Sequence, residues 1–406
     1  MVSDSEITHL VKTSLENDEH LREIIVNIPR HSKVEGCIGE IIFVNANGIA
    51  ENNERKYFEL AVKYLRYDRK RIESAIYSTV IEFNMYNRVL PSLQMFLSEN
   101  GLINELYFIP KQYECIVSNI ENVIIMENLK YTGYKLHDKK KNMNMCHIKM
   151  VIQKYAKLHA VSFAFRKQKP ELFQELTKVL VEKDTMKHAV IYCTEMREST
   201  LNNLDTALKI FKENGDEGLH HLLRTAVPKH PCDVLWDILN TEEMKTALCH
   251  GDSWNNNYLF KYKKDDCTKP IGVKIIDWQL SGIRSPVCDL SYFLYSCGSQ
   301  EELEKFDEIL EFYYETFSSF LLKLGNNPQD LFTFADLKGH WKSYGLYGVI
   351  SCLNSLKVQL SDQVPIASNC GDGSERIAIF DLPVSDMSLF YSRLKSVVSH
   401  YFSVIN

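Results

Sequence analysis

The sequence predicts an α+β protein of two lobes, a small strand-rich lobe followed by a larger helical one. Three observations carry that prediction. Stretches rich in β-branched and aromatic residues are confined to the first third of the chain, and helical periodicity dominates from Asn128 onward. Two short strand-and-loop segments, Leu248–Phe260 and Ile271–Trp278, interrupt those helices. The expected organisation is a helical extension over residues 1–30, a first lobe over 31–129 and a second over 130–406.

Residues 1–30 read as a helix that ends near Pro29 and is anchored by Leu10, Leu15, Leu21 and Ile25. Glu40–Val44 and Tyr57–Leu65 read as antiparallel strands joined by an Asn/Gly turn at Asn45–Gly48. Ile72, Ile76, Val80, Phe83 and Leu90 then recur at helical steps, up to a stop at Pro91. Tyr107–Pro110, Glu114–Val117 and Val123–Met126 are short strand candidates. Cys146–Phe165 is a strong amphipathic helix, and Glu301–Leu324 and Met387–Phe402 are later ones. The Lys139–Lys141 run reads as a solvated loop.

At 45% hydrophobic and 25% charged residues, the 406-residue chain can bury a sizeable core. Its 47 basic and 53 acidic residues give a net charge of −6, which argues against nucleic acid as the main partner. The eleven cysteines include no CxxC pair and no cluster with histidine at zinc spacing, so reduced thiols are expected. No basic-then-apolar leader opens the sequence and no apolar run reaches membrane-spanning length. A soluble cytoplasmic protein without membrane insertion is the expectation.

The most informative segment is LCHGDSWNNNYLF, Leu248–Phe260, which places Asn257 five residues beyond Asp252. Phosphoryl transfer needs a carboxylate to orient and accept the proton of the attacking hydroxyl, and oxygen ligands to hold magnesium against a triphosphate. An Asp-x4-Asn loop supplies both, although Asp and Asn are also common turn formers. In IGVKIIDWQLSG, Ile271–Gly282, Asp277 follows an apolar strand twenty-five residues after Asp252. A carboxylate at a buried strand's exit is how kinase-like enzymes place a second metal ligand.

HGDSWNNN followed by IIDWQLSG closely resembles the ecdysteroid kinase-like family of insects, a branch of the choline-kinase-like and aminoglycoside-phosphotransferase-like enzymes. YAKLHAVSF at Tyr155–Phe163 and PVCDLSYFL at Pro286–Leu294 extend the resemblance. It implies a bilobal protein-kinase-like fold using ATP and Mg²⁺, with Asp252 as the catalytic carboxylate and Asn257 and Asp277 as metal ligands. It also implies a strand lysine on the phosphates, Lys63 in FELAVKYL, held by a helix glutamate, Glu82. Glu82, Tyr86 and Pro91 meet the family's Glu-x3-Tyr-x4-Pro spacing. Glu127, Asn128 and Leu129 correspond to the hinge whose backbone reads adenine, with Asn128 replacing the usual aspartate. The glycine-rich loop is reduced to Gly36 and Gly39, with Cys37 and Glu40 where small or amide residues are usual.

The residues alone favour a scaffold role for His250, a helix-capping or loop-bracing role for Asp289, and a core position for His159. The implied acceptor is a small lipophilic alcohol, an ecdysteroid or a xenobiotic alcohol or glycoside, phosphorylated in detoxification. A kinase for a polar acceptor such as choline or an aminoglycoside is the alternative within the same fold. A non-catalytic ligand-binding protein is the alternative suggested by the reduced Gly36–Gly39 loop.

Overall fold

The computed structural model describes residues 3–29, 33–35, 40–66, 73–117, 121–240, 245–263, 266–363 and 382–405. Gly36, Gly39 and the Gly371–Ser374 stretch lie outside these residues. Six strands form one antiparallel sheet. They are Arg22–Asn27 (β1), Lys33–Glu35 (β2), Glu40–Ile49 (β3), Arg55–Arg66 (β4), Gln112–Val117 (β5) and Glu121–Glu127 (β6). Their order is β1-β3-β4-β6-β5, with β2 also paired to β3. Strand alternation sorts the side chains of β3 and β4. Ile42, Val44, Leu60 and Val62 are buried on one face, beneath Ile7, Val11 and Leu15 of Asp4–Glu19 (α1). Ile41, Phe43, Ala61 and Lys63 take the opposite face.

The opening helix is shorter than expected. Ser3 caps α1 in a reciprocal capping box with Glu6, and the helix stops at Glu19. Arg22–Asn27 pairs instead with the open edge of β3, which buries Leu21 and Ile24 and leaves Ile25 exposed. The β-branched run REIIVN suits a strand, and pairing across the sheet decides the outcome. Asn45–Gly48 likewise belong to β3, because β1 and β4 pair on either side of them. The reversal falls at Glu51–Asn53, where Asn53 takes φ 64°.

Pro91 does not end a helix. Glu73–Asn84 (α2) widens at Met85–Val89 into a π turn, in which the Leu90 N–H reaches the Met85 carbonyl. Leu90–Glu99 (α3) then starts with Pro91 in its first turn, where a missing N–H is tolerated. Tyr107–Pro110 forms turns rather than a strand, its Tyr107 N–H closing on the Asn104 carbonyl.

The second lobe is built from helices: Met145–Gln168 (α4), Pro170–Glu182 (α5), Thr185–Tyr192 (α6), Thr194–Glu213 (α7), Glu217–Ala226 (α8) and Pro231–Leu239 (α9). After them come Pro286–Cys297 (α10), Gln300–Leu303 (α11), Phe306–Lys323 (α12), Pro328–Leu331 (α13), Phe334–Leu360 (α14) and Met387–Ile405 (α15). The helix expected over Glu301–Leu324 is thus two, α11 and α12. Tyr134–Leu136 (β7), Ala247–Cys249 (β8), Tyr258–Tyr262 (β9), Pro270–Ile275 (β10) and Gly282–Arg284 (β11) make two small sheets, β10-β9-β7 and β11-β8. Every residue of α10 is buried. Helix α14 crosses it closely at Gly348, where a Cβ would stand 2.4 Å from the Ser291 carbonyl carbon. One apolar core runs from α2 and α3 through α4, α10, α12 and α14, so the first lobe's helix is seated on the second lobe. No helix among the described residues is long and apolar enough to cross a membrane.

Candidate active site

Lys63 lies mid-strand in the sheet, with Ile41 of β3 and Ile124 of β6 as its register partners. Its ammonium hydrogen-bonds both carboxylate oxygens of Glu82, at 3.0 and 2.8 Å, and Oδ1 of Asp277 at 2.5 Å. Burial disfavours the charge, but the carboxylates of Asp277 and Glu82 outweigh it and hold Lys63 protonated well above the usual lysine range. Burial pushes the Glu82 carboxyl up to about 7, with Lys63 pulling the other way. The cation therefore joins a helix of one lobe to a loop of the other.

The loop after β8 carries the second cluster. Gly251 adopts φ 84°, and a Cβ there would stand 2.0 Å from the Leu280 carbonyl oxygen, so only glycine fits. The amide nitrogen of Asn257 donates to the Asp252 carbonyl and to its Oδ2, both at 2.9 Å. Because both partners are acceptors, the nitrogen must face them, which turns Oδ1 of Asn257 away from Asp252. The Ile276 N–H donates to the Asn257 carbonyl at 3.1 Å, bringing Asn257 beside the residue that precedes Asp277. Burial, and then the charge of Asp277, push the Asp252 carboxyl up to about 7, against hydrogen bonds from Asn257 and Trp254.

Asp277 itself sits in the left-handed region, at φ 70° and ψ 60°, before a 3₁₀ turn over Trp278–Leu280. A non-glycine residue there needs support, and buried Trp278 gives it by donating to the Ile275 carbonyl at 3.3 Å. The Asn257 amide oxygen and the Asp277 carboxylate form an all-oxygen donor set, the chemistry that a hard divalent cation such as Mg²⁺ takes.

Asp289, fully buried on α10, braces this loop. It accepts the N–H groups of His250 and Gly251 at 2.8 Å each and the Ser253 hydroxyl at 2.9 Å. His159, buried and also paired with the Tyr313 hydroxyl, approaches it at 3.3 Å. Burial works against the Asp289 charge, but the hydrogen bonds led by His159 hold its carboxyl below the usual range. The helix cap is Ser285, whose hydroxyl accepts the Val287 N–H, so Asp289 is a brace and not a cap. His250 accepts the Asp252 N–H at Nδ1 and donates from Nε2 to the Ile276 carbonyl at 2.9 Å. Those two bonds require the neutral ring that burial also favours, which fits a scaffold residue.

With this geometry in place, a family model described as the Ecdysteroid kinase-like family matches residues 35–326. The chain belongs to that family. Membership makes this ecdysteroid kinase-like protein a small-molecule phosphotransferase, and its two lobes have the α+β layout of protein-kinase-like enzymes. Among solved structures it is similar to the GDP complex of a point mutant of aminoglycoside 2'-phosphotransferase-IIIa. That match has 13% identity and a TM-score of 0.41, over 87% of this chain and 90% of the other. The wild-type GDP complex of the same enzyme gives 12% and 0.39, over 98% and 99%. An aminoglycoside-3'-phosphotransferase of type VIII gives 14% and 0.29, over 81% and 93%. No curated protein matched this chain by sequence.

In the ecdysteroid kinase-like chain the hinge residues are not equivalent. The Glu127 N–H donates to the Lys111 carbonyl and the Asn128 N–H to the Glu59 carbonyl. No hydrogen bond from the Leu129 N–H appears among the described residues. The Glu127 carboxylate is taken by the Lys111 N–H and by buried Lys274, at 2.8 and 2.7 Å. The clue to Lys274 was a lysine inside the apolar strand GVKII. Leu129, Leu259 and Ile276 cluster beneath the hinge as an apolar floor. Glu40 shares the strand face of Ile42 and Val44, opposite Ile41 and Lys63, so its charge is directed away from Lys63.

The structure thus brings Lys63, Glu82, Asp252, Asn257 and Asp277 into one site. Gly36 and Gly39 fall outside the described residues. Reading the sequence missed Asp184 and Arg284, a fully buried ion pair next to the same loops.

Proposed function

We propose that this protein transfers the γ-phosphoryl group of ATP to a hydroxyl of a small lipophilic alcohol, an ecdysteroid or a similarly apolar xenobiotic. The reading is carried by one observation: the Lys63 ammonium bridges Glu82 and Asp277, while Asn257, next to Asp277 through Ile276, is pinned to Asp252. In this reading Lys63 contacts the α- and β-phosphates and Glu82 keeps its ammonium in place. Asn257 and Asp277 would hold Mg²⁺, which supplies charge neutralisation to the triphosphate. Asp252 orients the acceptor hydroxyl and accepts its proton. Catalysis then comes from positioning and from fixed charges.

The Leu129 N–H and the Glu127 carbonyl would read the adenine edge, above the Leu259 and Ile276 side chains. The acceptor class and a role in detoxification rest on the family resemblance, and a cytoplasmic location is proposed with them. The test is phosphate transfer from labelled ATP to a panel of ecdysteroids, steroid glycosides, choline and an aminoglycoside. Transfer to the apolar alcohols is the expected result; transfer to choline or the aminoglycoside alone would contradict the acceptor class.

A further inference from the structure

The two segments that carry the Asp252 and Asp277 carboxylates meet on a single buried cation. Arg284, at the end of β11, donates from Nη1 to the Leu280 carbonyl at 3.1 Å and from Nη2 to Oδ1 of Asp184 at 2.6 Å. The two side chains are 2% and 4% exposed. Asp184 in turn caps α6 by accepting the Lys187 N–H at 3.1 Å. The guanidinium is wedged between two glycines. A Cβ on Gly251 would stand 2.7 Å from Nη1, and one on Gly282 would stand 2.8 Å from Nη2. Pairing of β11 with β8 sets this up, since Gly282 lies opposite Cys249 and Arg284 opposite Ala247.

Gly251 precedes Asp252 directly, and Leu280 ends the turn that begins at Asp277. The bonds from Ile276 to Asn257 and from His250 to Ile276 join these loops on the Asn257 side, and Arg284 joins them on the Gly251 and Leu280 side. A buried ion pair contributes little net stability over an apolar pair of the same volume, and its better-attested use is to fix one arrangement. From this geometry we infer that Arg284, held by Asp184, is a positioning residue that sets the distance between Asp252 and Asp277. It also ties both loops to the head of α6, which packs against α2, the helix of Glu82. This rests on the roles given above to Asp252 and Asp277.

The variant that isolates the effect is Arg284→Lys, which keeps a cation for Asp184 but loses the two-pronged reach to Leu280. Turnover is read as acceptor-independent hydrolysis of MgATP, per site counted by nucleotide titration. The expected result is a fall in kcat of about tenfold or more, with the KM for MgATP within about threefold of wild type. Wild-type kcat per folded site, with only the melting temperature lowered, overturns the inference and leaves Arg284 a structural brace. If Arg284→Lys does not fold, Asp184→Asn decides. It keeps an oxygen acceptor for Arg284 and Lys187 without the charge, and a kcat lowered about threefold or more at unchanged KM supports the inference while wild-type kcat overturns it. Asp252→Asn and Asp277→Asn run alongside. Undiminished hydrolysis in those two removes the reading of the site itself, whereas their inactivity beside a fully active Arg284→Lys removes only the positioning role.

Discussion

Asp252 is the residue on which the proposed chemistry and stability pull in opposite directions. Its carboxyl is pushed from 3.8 to about 7 by burial and by Asp277, so the folded chain keeps a proton that the unfolded chain releases. Stability from this group is therefore lost as pH rises from about 4 through about 7. Replacing it by asparagine should abolish turnover, by a factor of about 10³ or more, and yet raise the melting temperature. That gain should be absent near pH 4 and grow until about pH 7; thermal melts of both proteins across that range check it, and a pH-independent difference would count against a raised Asp252. Lys63 is the converse case. Lys63→Met leaves Glu82 buried without its cation, and should lose activity together with about 3 kcal/mol of stability by urea unfolding. The double variant Lys63→Met/Glu82→Gln should recover most of the stability and none of the activity. Asp252 stands out in a short local pattern, whereas Lys63 and Glu82 were named from the family resemblance, and the structure pairs them. Arg284 and Asp184 were not legible in the sequence, because they lie 100 positions apart and only the folded chain joins them.

At the scale of elements, the turn at Gly251 and the π turn before Pro91 make opposite predictions. Gly251→Ala forces a side chain onto the Leu280 carbonyl at φ 84°, and should cost about 3 kcal/mol along with activity. Pro91→Ala should change stability by less than about 1 kcal/mol, because the first turn of α3 needs no N–H there. Equilibrium denaturation of the two variants separates them, and a large loss in Pro91→Ala would contradict the account of the π turn. The same elements show where sequence patterns fall short. Proline at position 91 reads as a stop, since nothing local announces that the preceding turn widens by one residue. REIIVN suits a strand by composition but also continues the helical spacing of the apolar residues before it, and the open edge of β3 decides. Asn45–Gly48 has the composition of a turn but lies between two pairing strands. The Asp-x4-Asn loop and the strand before Asp277 were readable because short apolar runs flank them on both sides.

At the scale of the whole molecule, the ion pair of Lys63 with Asp277 spans 214 positions and links the sheet of the first lobe to the loops of the second. Helix α2 shares the second lobe's core, so Glu82 is fixed with respect to Asp277, while the sheet that carries Lys63 packs chiefly on α1. Nucleotide and metal would compete with Asp277 for the Lys63 ammonium and join the lobes in its place. Binding should then stabilise the fold by an amount that grows with ligand concentration over its dissociation constant. The most direct test of the account is isothermal titration of ATP into the wild-type protein and Asp277→Asn, each with Mg²⁺ and with EDTA. The account predicts binding by the wild-type protein that weakens at least about tenfold in EDTA, and binding by Asp277→Asn that is weak and indifferent to the metal. Equal ATP affinity in all four titrations would contradict it.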